Sequence, residues 1–126
     1  MAGRLAAQRR TPEDIRLLRR IMDDAQTALD EPGAGYPQGA HMDLHATVLS
    51  IARNPMLEQR AQETERQLAL ARYRSAAATD RAAAALAEHE GIVEAITAGR
   101  PVAAHRLVMV HIQNSAKRAI RGLDTG

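Results

Sequence analysis

Apolar residues return every three or four positions along most of the chain, in runs bounded by Pro, Gly, Thr and Asp. Ile15, Leu18, Ile21, Met22, Ala25 and Leu29 make the first such row, with arginines between them, and predict a helix. Thr11-Pro12-Glu13-Asp14 opens it: a Thr N-cap, a Pro at the first helical position and acids in the first turn. Asp30 to Gly39 reads as a loop from its prolines and glycines. A helix to about Arg53 follows, with Leu44, Val48 and Ile51 on its apolar face. Pro55 turns Asn54 away from the helical region and ends it. The next helix runs from Pro55 to about Arg74. Its inner face is Met56, Leu57, Ala61, Thr64, Leu68 and Ala71, and its outer face is charged and solvated.

After a break at Ser75 to Thr79, Asp80 can cap a helix over Arg81 to Ala98, closed by Gly99 as a left-handed cap. Gly91 inside it costs about 1 kcal/mol against Ala, so it is expected to mark a close helix contact. Pro101 starts the last helix at once, running to about Gly122. So short a connection makes the last two helices an antiparallel hairpin. Residues 1–10 read as a partial leading segment, too short to stand alone. The expected fold is all-α, an antiparallel helical bundle forming one domain over 1–126.

Composition sharpens this. Two tyrosines are the only aromatic residues, so the core is built from Leu, Ile, Val, Met and many alanines, which let helices approach closely. The absence of cysteine excludes disulfides and leaves only N and O ligands for any metal. A net charge of +2 is far from the dense basic face of a nucleic-acid binder. No segment has the pattern of a signal peptide or a membrane span, so a soluble cytoplasmic protein is expected.

The chemistry lies in the histidines. His41 and His45 stand four residues apart on one helix face, beside Leu44, Val48 and Ile51. His89 shares the row of Leu86, Val93 and Ile96, and His111 that of Ala104, Val108 and Ser115. His89 lies ten positions before Gly99, and His111 ten positions after Pro101. Each is about 15 Å from the turn, so the two meet at one level of the hairpin. If the helix of His41 and His45 crosses there, three or four imidazoles converge, and bundle cores are common places for metal sites. His105 falls in the row of Val102, Met109 and Ile112 and lies nearer the turn, which marks it as a surface or helix-contact residue. Single buried histidines are more often hydrogen-bonded core residues than ligands, so the alternative is a bundle whose histidines only pack.

The order of these motifs resembles the FCD domain, the effector-binding C-terminal domain of FadR-like regulators in the GntR family. The matching stretches are LAAQRRTPEDIRLLRRIMDDA, LHATVLSIARNPML and ALAEHEGIVEAITAGRPVAAHRLVMVHI, and together they span Leu5 to about Ile120. The resemblance implies a divalent metal held by one Asp and three His, with small carboxylate effectors reaching it. Carried over, His45, His89 and His111 match the three histidines, and His41 stands where the family has Asp. Asp43 is two residues off and points elsewhere on the helix, and Leu44 replaces the usual Phe. The change from Asp leaves room for an all-imidazole site with His41 as its fourth ligand, or for the three histidines alone, with zinc or nickel first, then iron or manganese.

Three functions come from this. The first is the effector-sensing domain of such a regulator, binding a metal and a small organic acid and forming a homodimer. The family's winged helix-turn-helix has no counterpart here, so no direct DNA binding by this chain alone is expected. The second is a purely structural helical dimerisation module without metal. The third is a metal-dependent enzyme, which lacks a placed general base because Glu88 adjoins His89 but faces another direction.

Overall fold

The computed structural model describes residues 1–30, 38–61, 63 and 79–125, with side chains over 1–30, 44–61, 63 and 83–117. It is all-helical, with no strand among the described residues. The elements are α1 (Ala2–Arg9), α2 (Pro12–Leu29), α3 (Gln38–Ala52), α4 (described over 55–61), α5 (Thr79–Thr97) and α6 (Pro101–Thr125).

Local chemistry sets the boundaries. Thr11 and Asp14 form a reciprocal capping box at the start of α2: the Asp14 N–H donates to Thr11 Oγ1 (3.2 Å) and the Thr11 N–H to Asp14 Oδ2 (2.9 Å). Burial pushes the Asp14 carboxyl up, but the Thr11 hydrogen bonds and the Arg53 guanidinium outweigh it and hold the carboxyl below its ordinary value. Helix α3 begins at Gln38, so the last two residues of the expected loop are helical; residues 31–37 lie outside the described residues. Arg53 ends α3 in the left-handed region (φ 52°), and Asn54 caps α4 by accepting the Leu57 N–H. At the end of α5, Gly99 (φ 68°) donates to Ile96 and Arg100 to Ala95, the paired bonds of a Schellman turn.

The inner rows pack as their spacing predicts. Leu18, Met22 and Ala25 of α2 join Leu44, Val48 and Ile51 of α3 and Leu86, Val93 and Ile96 of α5 in one core. Met56 departs from its row: it is 68% exposed, while Leu57 is half-buried. The inward row of α4 runs through Leu57 and Ala61, one turn apart, and Met56 lies about 100° round from it. Thr64, Leu68 and Ala71 fall outside the described residues.

The leading segment differs most from expectation. Residues 2–9 form α1, which packs against α3, α5 and α6. Its contact surface is Gly3, Ala6 and Ala7, small enough for backbones to approach closely. Its last residues then serve other helices. Arg9 donates to the carbonyl of Ala52 at the end of α3 (2.6 Å), and Arg10 to that of Thr97 at the end of α5 (3.0 Å). These carbonyls lack partners within their own helices, so the arginines satisfy what the helix ends leave open. The short segment is stable because it is the contact shared by three helices.

Gly91 does not mark a close contact. A Cβ there would meet only Leu107 Cδ1, at 3.8 Å, which is ordinary contact. Gly91→Ala is therefore expected to stabilise the fold, by about 0.5–1 kcal/mol through helix propensity and a less disordered unfolded chain. Urea denaturation measures it; a lower midpoint would mean that α5 and α6 sit closer than described.

Candidate metal centre

Three helices bring three imidazoles to one point. The α3 face of Leu44, Val48 and Ile51 presents His45, half-buried. The α5 face of Leu86, Val93 and Ile96 presents His89, and the α6 face of Ala104 and Ser115 presents His111; both imidazoles are fully buried. The Schellman turn and Pro101 fold α5 back on α6 with equal arms, which sets the last two side by side. His89 Nε2 lies 3.1 Å from His111 Nε2, and His45 Nε2 lies 3.3 Å from it. The three ligand atoms all fall within 4.8 Å of one another.

These separations suit a shared cation. Two nitrogens bound tetrahedrally to one zinc at about 2.0–2.1 Å stand about 3.3 Å apart. A neutral imidazole carries one ring proton, so one buried His111 Nε2 facing two other Nε2 atoms is better served by a cation than by hydrogen bonds alone. The three histidines could hold a metal ion, and an all-nitrogen donor set suits zinc, nickel, copper or iron.

His41 lies in α3 one turn before His45, but its side chain is outside the described residues, as is that of Asp43. His105 is exposed on α6 and its Nδ1 lies 3.0 Å from the Met1 amino nitrogen, away from the cluster.

Glu88 does not face away, as its position beside His89 suggests. Its carboxylate crosses to α6, where Oε1 accepts from His111 Nδ1 at 2.7 Å. Asn114, three residues beyond His111, donates from Nδ2 to the other oxygen at 3.0 Å. On a helical wheel Glu88 stands about 100° from His89, yet α6 lies on that side and a long side chain reaches it. The Glu-His pair in sequence and an Asn one turn past His111 were the available signals.

Among the described residues no helix is long and apolar enough to cross a membrane. Among curated proteins, none matches this chain significantly. The family model of the FCD domain matches residues 1–114, nearly all of the 126. The all-helical fold agrees with that match, and the chain belongs to the FCD domain family.

Proposed function

We propose that this chain is the effector-sensing domain of a GntR/FadR-type transcription regulator, one cytoplasmic domain over 1–126. In this reading His45, His89 and His111 hold a divalent metal, zinc or nickel first, with His41 as the fourth ligand. The observation that carries it is the convergence of three Nε2 atoms from three helices at a buried point. A bound divalent ion supplies open coordination positions to the carboxylate of a small organic acid.

The chain's own part is coupling. His45 rides on α3, His89 on α5 and His111 on α6, so a ligand that favours one arrangement of these helices shifts the population towards it. Glu88 is engaged at the far nitrogen of His111, a poor position for a general base, which favours sensing over turnover. The exposed apolar row of Val102, Met109 and Ile112 on α6 favours a homodimer.

The test is elemental analysis of protein purified without a histidine tag, followed by thermal melts with added zinc, nickel or manganese and with small carboxylates. Metal should raise the melting temperature, and a carboxylate effector should raise it further, because each binds only the folded state. Metal-free protein that takes up none of the three ions would leave a purely structural helical dimerisation module.

A further inference from the structure

We propose that Glu88, anchored by Asn114, is the positioning residue that fixes His111 in the tautomer whose Nε2 lone pair faces His45 and His89. This rests on the metal-site reading above. Neutral imidazole has one N–H, and the partner of one nitrogen decides which nitrogen is left free to coordinate. Glu88 Oε1 sits 2.7 Å from His111 Nδ1 and, as a carboxylate, can only accept, so the proton belongs on Nδ1. That leaves Nε2 unprotonated at the point where it meets the other two Nε2 atoms, at 3.1 and 3.3 Å.

Asn114 keeps Glu88 from swinging away. Its amide donates to Oε2 at 3.0 Å, so each carboxylate oxygen has a partner on α6. The pairing is also electrostatic. Three neutral imidazoles around a divalent ion carry no compensating charge, and the described ligand set contains no carboxylate. Glu88 supplies a negative charge one imidazole away, in surroundings where its side chain is only 19% exposed.

The test compares Glu88→Ala, Glu88→Gln and Asn114→Ala with the parent protein. Nitrogen NMR of metal-free, histidine-labelled protein reads the tautomer without any metal. The parent should show His111 protonated on Nδ1, and Glu88→Ala should lose that preference. Titrations with zinc should then show affinity about 10–100-fold weaker for Glu88→Ala. Glu88→Gln, whose amide oxygen can accept the same hydrogen bond, should keep the tautomer and lose less affinity; Asn114→Ala should lose least.

If Glu88 only pins α5 to α6, Glu88→Ala lowers the melting temperature of metal-free protein and leaves tautomer and zinc affinity unchanged, which overturns the proposal. Should Glu88→Ala not fold, Glu88→Gln decides: parental zinc affinity there overturns the charge argument. A tautomer shift in protein that binds no metal in any variant would uphold the role of Glu88 and defeat the metal-site reading instead.

Discussion

Alanine at His89 or His111 is expected to abolish divalent metal binding, while alanine at His105 leaves it nearly intact. Both target imidazoles are fully buried, and His111 Nε2 is the atom the other two approach. Loss of a ligand should weaken affinity by more than about 100-fold, beyond what outer contacts contribute. His105 is exposed and points away from the cluster, so it serves as the control on the same helix. Isothermal titration with zinc and nickel measures the effect, and circular dichroism checks that each variant stays helical. In the parent, affinity should fall on acidification, because a proton occupies the same lone pair. His41→Asp, placing the family's carboxylate one turn before His45, should keep a site and shift preference towards manganese. Metal loss in His105→Ala with retention in His111→Ala would mean that the inner face of α6 is misassigned.

Gly3→Ala should destabilise the fold by about 1–3 kcal/mol, the usual cost of overpacking. A Cβ on Gly3 would stand 2.7 Å from Val108 Cγ2 and 2.8 Å from the Ala104 carbonyl oxygen. The valine can turn aside, but the backbone carbonyl of α6 cannot, so α1 must move. The gain in helix propensity, at most about 1 kcal/mol mid-helix, is smaller at the second residue of α1, so the clash wins. The same substitution at Gly91 meets nothing close and carries the opposite sign. Urea denaturation of the two variants together checks this. Equal midpoints would show that α1 does not pack on α6 as described.

The contrast shows what could be read before the structure. Periodic Leu, Ile and Val rows announce which face turns inward, so α2, α3 and α5 were legible, as was the shared level of His89 and His111. Segment α1 was not, because its buried surface is Gly3, Ala6 and Ala7. Small residues bury little apolar area, and their tight fit is a property of the partner surfaces. Gly91 was misjudged for the same reason. Glu88 was hidden differently: a wheel gives the direction of a Cβ, while the carboxylate lies several bonds further out, where a neighbouring helix decides its contacts.

The equal arms around Gly99 and Pro101 constrain evolution by length more than by letter. His89 and His111 are twenty-two positions apart, and their meeting depends on that count. One residue inserted in either arm turns the imidazole beyond it by about 100° and shifts it about 1.5 Å along the helix. Exposed positions such as Glu94 and Arg106 can be exchanged without moving either histidine. Between His89 and His111, then, relatives should tolerate many substitutions but no insertions or deletions, and length variation should fall outside this segment.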